Sequence, residues 1–376
     1  MNQIKIMSGA IAILALVLPH GLRADEGLPP FSWERVPLFM HLGKQSDDLT
    51  PKQLDFLTRH YSFITLEKQF AVRKRGSTEA GIAEAARQIK KRNPNAKVLF
   101  YLNSLLDVPG YKSSASFPAD GHLEKRSGKP NTRGGGKILT FDHSRADVRA
   151  WWSDVAAKAV SEGSCDGVFV DTVGGITGKG LIKVIGQQKF DDLNRGFVET
   201  LKETRRKIGP NKLIIFNGIK DGKHFELLPY ANGAMIEHFG GINITAKKET
   251  IAGDLEAMRN AARLGKIVEL KAWPGFDWTN DEMMKKPRSE LVQLARQRLE
   301  FQLACFLVAA ERGCYFNYSW SYNEKNGPFE WYPEFDKPLG PPKGDAKRDG
   351  WKYTREFERA SVFVDLEKMT AKIDWK

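Results

Sequence analysis

Short apolar segments alternate with amphipathic stretches eight times along this chain of 376 residues. Each apolar segment has the length and residue types of a buried β-strand, and the stretches between them have helical periodicity. The predicted strands are Pro37–Leu42, Phe63–Leu66, Lys97–Leu102, Gly167–Asp171, Lys212–Asn217, Ala234–Glu237, Ile267–Lys271 and Cys314–Tyr318. Strands separated by helices pair in parallel through crossover connections, so eight such units predict an α/β fold, a closed (β/α)8 TIM barrel.

The helical stretches carry recognisable start signals. Thr50 precedes Pro51, which suits a capping residue followed by proline in the first turn, and Ser77 opens the next helix. Further helices are predicted over Ser144–Val160, Phe190–Lys207, Lys248–Leu264 and Ser289–Glu311. An open doubly wound sheet is disfavoured, because His41-Leu42-Gly43-Lys44-Gln45, after the first strand, lacks the glycine-rich phosphate loop of such folds.

Two segments exceed what a minimal barrel needs. Leu105–Lys137, after the third strand, is rich in Gly, Pro and Ser and lies on the face where barrel active sites form. It is either a functional lid or substrate wall, or a disordered insertion. A C-terminal extension or cap is expected from about residue 320, with a β-prone segment at Ser361–Asp365. We expect residues 25–376 to form one catalytic barrel domain that includes this cap.

The first 24 residues have the order of a secretory signal peptide. Lys5 supplies the charge, Ile11–Leu18 the short apolar core and Ala24 a cleavage point, so we expect an exported, periplasmic or extracellular protein. No segment approaches the ~20 apolar residues of a membrane span. An exported chain held by disulfides would carry more than three cysteines. Pairing of Cys305 with Cys314 remains an alternative to separate buried thiols.

The net charge is +12, from 58 basic and 46 acidic residues. A basic exported protein is suited to anionic polymers such as acidic glycans. The basic residues are scattered along helices, as in Arg87–Arg92, and indicate solvated helix faces rather than a binding stripe. With no nucleic-acid motif visible, we expect a carbohydrate partner and neither nucleic acid nor a membrane, and the oligomeric state is left open.

Two of the predicted strands end on a carboxylate, Asp171 and Glu237. Acids are seldom buried without a partner, and the carboxyl ends of barrel strands face the active site. The other residues expected at this rim, as substrate contacts, are His41, Glu67, Asn103, Asn217, Lys271, Trp273 and Tyr318. Such a rim suits sugar hydroxyls and apolar sugar faces. We expect no metal and no cofactor, since the sequence has no metal-ligand spacing, and no Gly-x-Ser-x-Gly elbow is present either.

Glycoside hydrolysis needs one group to protonate the leaving oxygen and a second carboxylate to attack the sugar or activate water. Asp171 suits the second role, because a strand-end aspartate is short and rigidly placed. Glu237 suits the first role, because its longer side chain can reach the glycosidic oxygen. Whether the reaction retains or inverts configuration depends on the carboxyl separation, which is ~5 Å for retention and roughly 6.5–9.5 Å for inversion.

Each candidate also has a structural alternative. Asp171 can cap the following loop or helix, and Glu237 can form an ion pair with a lysine. Asn217 can orient an acid or simply form a turn with Gly218. Glu67 can pair with Lys68 or Lys271. Trp273 and its loop neighbour Trp278 can stack on sugars if exposed, or pack the loop if buried.

Several motifs resemble those of hypothetical glycosyl hydrolase family 15. They are Cys165-Asp166-Gly167-Val168-Phe169-Val170-Asp171, Asn217-Gly218, Ile236-Glu237-His238-Phe239, Trp331-Tyr332-Pro333, Leu339-Gly340-Pro341-Pro342 and Tyr353-Thr354-Arg355-Glu356-Phe357-Glu358. The resemblance spans most of the chain from the first strand onward. It implies a (β/α)8 barrel with Asp171 and Glu237 as the acid pair.

Three other functions compete with an exported glycoside hydrolase. One is a non-catalytic carbohydrate-binding barrel that has kept the pocket without the chemistry. Another is a polysaccharide deacetylase, which would need a metal that the missing ligand cluster disfavours. The third is a lyase on acidic glycans, in which a base such as Lys271 would abstract the proton. The sequence leaves open the substrate, linkage, anomeric configuration, and endo or exo action.

Overall fold

A computed structural model describes residues 27–376. The predicted signal peptide over residues 1–24 lies outside the described residues. Within them, no helix is both long enough and apolar enough to cross a membrane.

Eight parallel strands form the central sheet, and shorter antiparallel sheets lie outside it. In chain order the strands are β1 Met40–Leu42, β2 Phe63–Leu66, β3 Lys97–Asn103, β4 Thr132–Arg133, β5 Ile138–Leu139, β6 Gly167–Asp171, β7 Leu213–Asn217, β8 Gly233–Phe239, β9 Ile267–Ala272, β10 Cys314–Tyr318, β11 Lys347–Asp349, β12 Lys352–Glu356, β13 Ala360–Asp365 and β14 Thr370–Trp375. The central sheet has the order β1-β2-β3-β6-β7-β8-β9-β10. Because each strand pairs with the next barrel strand along the chain, every connection is a simple crossover.

The first and last strands close the sheet into a barrel. Leu38 bridges to Phe316 in parallel, the Phe316 N–H donates to the Pro37 carbonyl (2.8 Å), and the Phe39 N–H donates to the Phe316 carbonyl (3.1 Å). The predicted (β/α)8 barrel is therefore confirmed. The first strand is shorter than predicted because only Met40–Leu42 pairs continuously with β2.

Helices connect the strands on the outside of the barrel. They are α1 Pro51–His60, α2 Val72–Arg75, α3 Thr78–Arg92, α4 Ala146–Ser161, α5 Val173–Thr177, α6 Ile182–Ile185, α7 Gln187–Ile208, α8 Lys248–Arg263, α9 Asp281–Met284 and α10 Arg288–Ala309. The predicted start of α1 is confirmed. Thr50 and Gln53 form a reciprocal capping box, with Pro51 in the first turn.

Side chains that point into the barrel form a separate apolar layer. Its members are Phe39, Phe63, Leu99, Tyr101, Phe169, Leu213, Ile215, Met235, Ile267 and Tyr315. Glu269 interrupts this layer, since it is level with Met235 and Tyr315 in the sheet and faces the same interior. Its carboxyl group is fully buried, neither oxygen has a hydrogen-bond partner, and burial raises its pKa to about 8.

The long segment after β3 has local structure of its own. It contains a 3-10 helix at Lys112–Ser116 and the short β4–β5 hairpin, and the side chains of Leu105 and Leu123 are fully buried. The segment is therefore an ordered part of the fold.

The chain after β10 ends in an antiparallel sheet, β11 to β14, packed against α10. The predicted segment Ser361–Asp365 lies in β13. The buried Arg355 guanidinium donates to the carbonyls of Leu307 and Ala310 at the end of α10, tying this sheet to the barrel. Cys305 and Cys314 are free and buried, as is Cys165, so no disulfide joins them.

Candidate active site

Asp171, Asn217 and Glu237 come together at the carboxyl end of the barrel. Asp171 and Asn217 are the last residues of adjacent strands β6 and β7, and Glu237 lies near the end of β8. The Asn217 side-chain amide donates to Asp171 Oδ1 (3.0 Å) and to Glu237 Oε2 (2.7 Å). These two oxygens can be no farther apart than the two contacts laid end to end, which is under about 6 Å, so one oxygen of each acid lies beside the same amide.

Asp171 is held by hydrogen-bond donors on both oxygens. Besides Asn217 on Oδ1, the Tyr101 hydroxyl donates to Oδ2 at 2.5 Å. The Thr172 hydroxyl (3.3 Å) and the Asn103 amide (3.5 Å) also face Oδ2. Donors on both sides fix the plane of the carboxyl group.

Glu237 also accepts hydrogen bonds on both oxygens, from Asn217 on Oε2 and from a tyrosine on Oε1. The Tyr322 hydroxyl donates to Oε1 at 2.6 Å, and the His238 Nε2 lies 3.5 Å from Oε2. The Glu237 side chain is 24% exposed, so it is open to the solvent side of the barrel mouth. A group that must meet a substrate from outside needs this access.

The residue after each acid has a left-handed backbone. Thr172 has φ 65° and His238 has φ 54°, a region that residues other than glycine seldom adopt. At the second position the pairing register between β8 and β9 shifts between Ile236 and Phe239. Such irregularities redirect side chains and cluster at functional sites. The chain therefore leaves regular strand geometry at the two carboxylates.

Glu67 sits between two nitrogen-bearing side chains. His41 Nε2 approaches Oε1 at 2.8 Å, and Lys68 Nζ donates to Oε2 at 2.7 Å. Burial works to raise the pKa of Glu67, but Lys68 and His41 outweigh burial and hold the pKa at about 2. Glu67 is consequently a fixed anion at neutral pH, and the pairing with Lys68 that the sequence offered as an alternative is present.

Lys68 reaches from this ion pair toward the acid pair. Its Nζ lies 4.5 Å from the centre of the Tyr101 ring and 3.5 Å from the Tyr101 hydroxyl. Burial alone would lower the pKa of Lys68, yet Glu67, Asp171 and Glu237 together raise it. With 40% of its side chain exposed, Lys68 presents a permanent cation inside the mouth of the barrel.

The two tyrosines that hold the acids remain protonated. Burial, followed by the nearby Asp171, raises the pKa of Tyr101 well above its ordinary value. Burial and Glu237 have the same effect on Tyr322. Both hydroxyls therefore stay hydrogen-bond donors across the physiological pH range.

Three predicted substrate contacts need correction. Tyr318 faces outward, where its hydroxyl donates to the Ala295 carbonyl of α10, because the inward positions of β10 are Tyr315 and Asn317. Trp273 is fully buried. Lys271 is also fully buried and donates to the backbone and hydroxyl of Ser319.

Lys271 and Trp273 form a layer behind the acid. Lys271 Nζ lies 4.2 Å from the centre of the Trp273 ring, and Trp273 stacks on His238 with ring centroids 5.3 Å apart. Burial lowers the pKa of Lys271 well below its ordinary value, and Glu237 opposes this shift. Both side chains are therefore packed against residues that flank Glu237, with Trp273 on His238 and Tyr322 and Lys271 on Tyr322.

The contacts in the structure bear on the alternative roles that the sequence left open for these residues. The Asp171 side chain caps no helix, since α5 begins at Val173 without a side-chain cap. Among the described residues, the ion pair of Glu237 within 4.0 Å is to His238 and not to a lysine. Asn217 uses its side chain to bridge the two acids, as described above. Asn103, also predicted at the rim, is mostly buried and bonds Thr172 Oγ1 (2.7 Å).

Three residues at this site were not predicted from the sequence to have a role in it. The sequence offered Lys68 only as an ion-pair partner of Glu67, and Tyr101 points inward from β3 two residues before Asn103. Inward alternation along β3 could have identified Tyr101. Tyr322 lies in the segment after β10, where no periodic pattern indicates which side chain turns back to the barrel mouth.

A groove of about 930 Å³ lies away from these acids, along the flank of the barrel between α3, α4 and the 3-10 helix after β3. Its floor is apolar, including Phe100 and Trp151. In residues 27–376, no group of three or more His, Cys, Asp or Glu side chains is arranged to hold a metal ion.

The family model for hypothetical glycosyl hydrolase family 15 matches residues 90–361 of the chain. The chain belongs to this family. Its class is therefore that of a glycoside hydrolase, as the resemblance of its motifs indicated. No curated protein is similar enough in sequence to count as a relative.

Solved structures of glycoside hydrolases share the fold of this family member. A maltogenic α-amylase, AmyB, from Thermotoga neapolitana has a TM-score of 0.56 at 11% identity, covering 88% of this chain and 86% of that one. An α-amylase from Geobacillus thermoleovorans, complexed with acarbose, gives 0.51 at 12% identity, with 88% and 86% covered. The glycoside hydrolase domain of PelA from Pseudomonas aeruginosa gives 0.50 at 13% identity, with 75% and 93% covered. At such identities the likeness concerns the barrel fold alone.

Proposed function

We propose that this protein is an exported glycoside hydrolase in which Asp171 and Glu237 cleave a glycosidic bond with retention of configuration. The observation that carries the proposal is the Asn217 amide, which donates to one oxygen of each acid and holds them under about 6 Å apart. Retention is proposed because retaining enzymes use the closer pair of carboxyl groups, and the nearest oxygens of these two acids share one donor.

In the proposed reaction, a carboxylate oxygen of Asp171 attacks the anomeric carbon. At the same time Glu237 gives its proton to the glycosidic oxygen, so that the leaving sugar departs as an alcohol. Glu237, now a carboxylate, removes a proton from a water molecule that attacks the glycosyl ester. The released sugar then has the configuration of the substrate, and both acids return to their starting protonation states.

The surrounding donors suit these roles. The hydroxyl of Tyr101 and the amide of Asn217 orient Asp171 for attack. Tyr322 orients Glu237 from the opposite side. Preorganised donors of this kind need no rearrangement when charge develops during the reaction.

Sugar binding on the Asp171 side of the pocket is assigned to Lys68. Its partly exposed ammonium group has one donor left beyond those directed at Glu67 and at the Tyr101 hydroxyl. A hydroxyl of the sugar undergoing attack is a suitable acceptor. His41 and Glu67 are mostly buried and hold Lys68 in place.

The substrate is proposed to be a poly- or oligosaccharide, and the net charge of +12 favours an anionic one. Export is proposed from the sequence of residues 1–24 alone. A lyase with Lys271 as the base is disfavoured, because that amine is fully buried and donates to Ser319.

The test is release of reducing ends from neutral, uronate-containing and sulfated polysaccharides by the wild type, Asp171→Asn and Glu237→Gln. Loss of activity in both variants, with unchanged circular dichroism and unfolding midpoint, would support the acid pair. Unchanged activity in either variant would remove that residue from the mechanism. If no polysaccharide is cleaved but some are bound, the non-catalytic carbohydrate-binding barrel becomes the better account.

A further inference from the structure

Trp278 is an exposed aromatic ring beside the proposed acid. Large apolar side chains with substantial exposure in the described part of the chain are Leu28, Leu264, Trp278 and Phe363. Trp278 is 39% exposed and packs at an angle against Trp273 and Tyr322, with ring centroids 5.6 and 6.2 Å away. Tyr322 in turn donates to Glu237. One aromatic contact therefore links an exposed indole to the acid.

The backbone around Trp278 is held in place. Its N–H donates to the Trp320 carbonyl (3.1 Å) in the segment after β10. The preceding residue, Asp277, is buried, and its Oδ1 accepts from the Thr279 N–H (3.0 Å) and hydroxyl (2.7 Å). Behind the ring, Trp273 is fully buried. An indole held in this way loses little conformational freedom when a ligand stacks on it.

The position of Trp278 relative to the acids indicates which sugar unit of the substrate it would contact. A general acid stands beside the glycosidic oxygen, so the sugar that leaves lies on the side of the acid. The sugar that is attacked lies on the side of the nucleophile. Trp278 is connected to Glu237 through Tyr322, whereas Lys68 and Tyr101 lie on the Asp171 side.

We propose that Trp278 is the stacking platform for the sugar unit in the leaving group, and that the natural substrate is an oligo- or polysaccharide with a pyranose at that position. The C–H face of a pyranose is apolar and matches the face of an indole, while its hydroxyls stay in water. The inference rests on the proposed glycosidase function. It adds that leaving-group sugars are recognised by an exposed ring, which small synthetic leaving groups would not need.

The experiment compares Trp278→Ala, Trp278→Phe and the wild type on two substrates that share the attacked sugar. One is the oligosaccharide identified by the polysaccharide panel, and the other is the matching glycosyl fluoride, whose leaving group has no face to stack on the indole. For Trp278→Ala we expect kcat/KM on the oligosaccharide to fall on the order of tenfold or more, mainly through KM, with partial recovery in Trp278→Phe. Hydrolysis of the glycosyl fluoride should change far less.

Phe363→Ala is the matched control, because Phe363 is 38% exposed but lies in β13 of the C-terminal sheet. It should leave both substrates unaffected. Equal losses on the two substrates in Trp278→Ala would mean that the ring only supports the fold of the site, and no loss on either would also overturn the platform.

A binding titration separates this inference from the proposed function. If the wild type cleaves nothing, calorimetric titration of the same oligosaccharides into wild type and Trp278→Ala still tests the platform. Weaker binding in the variant would support it while the hydrolase proposal fails. Equal binding, or no binding to either protein, would contradict it.

Discussion

Glu269 gives a prediction about stability that follows directly from the barrel interior. Its carboxyl is fully buried among apolar side chains, with no hydrogen-bond partner, and its pKa is raised from 4.5 to about 8 by that burial. The folded protein therefore keeps this group protonated where the unfolded chain has already ionised it. The unfolded state gains stability over that interval of pH.

The sign and size of the effect follow from this difference. The stability associated with Glu269 is fully present below about pH 4.5, is lost as pH rises toward about 8, and then stays constant. Each pKa unit corresponds to about 1.4 kcal/mol, so the loss over the whole interval is on the order of 5 kcal/mol. Replacement of Glu269 by Gln keeps the shape and removes the ionisation.

The assay is denaturant unfolding of the wild type and Glu269→Gln across this pH interval. We expect the free energy of unfolding of the variant to improve relative to the wild type by about 4 kcal/mol between about pH 5 and about pH 8. The control is Glu282→Gln, whose side chain is 83% exposed and should show no such trend. Parallel pH profiles for wild type and Glu269→Gln would refute the assignment of a neutral buried carboxyl.

Three further predictions concern the site and its frame. Tyr101→Phe removes the donor to Asp171, so kcat/KM should fall roughly 100-fold while the unfolding midpoint stays near that of the wild type, as measured by kinetics and thermal unfolding. Lys68→Met should raise KM more than it lowers kcat, and Lys68→Arg should restore part of the loss, because Lys68 offers its charge to both Glu67 and the bound sugar. Arg355→Met leaves carbonyls at the end of α10 unpaired and should lower the free energy of unfolding by about 2–4 kcal/mol without changing kcat, since Arg355 lies at the opposite end of the barrel.

The barrel could be predicted from sequence because buried parallel strands are nearly continuous apolar runs. Phe63–Leu66, Gly167–Asp171 and Cys314–Tyr318 begin and end as predicted, and the other barrel strands differ by one to a few residues. The strand ends also indicated which polar residues would gather at one face. The sequence of a single strand does not show whether its last side chain points into the barrel or outward. Tyr318 follows the inward-facing Asn317 and so points to α10.

The sequence does not predict which residues reach the site from loops. Tyr322 lies four residues after β10, and the course of that segment depends on contacts such as the hydrogen bond from Gly43 N–H to the Tyr322 carbonyl (2.7 Å). The burial of Trp273 and the exposure of Trp278 depend on the same packing between loops. Neither follows from local periodicity, so the sequence left both tryptophans as alternatives.

The roles of the two acids can be tested by azide rescue of alanine variants on the nitrophenyl glycoside of the attacked sugar. In Asp171→Ala, azide should replace the carboxylate as the attacking group and give a glycosyl azide of configuration opposite to the substrate. In Glu237→Ala, azide should instead attack the glycosyl ester on Asp171 and give a glycosyl azide of the same configuration as the substrate. Proton NMR of the two products measures both outcomes. The reverse assignment of configurations, or rescue of neither variant under conditions where both remain folded, would contradict the account.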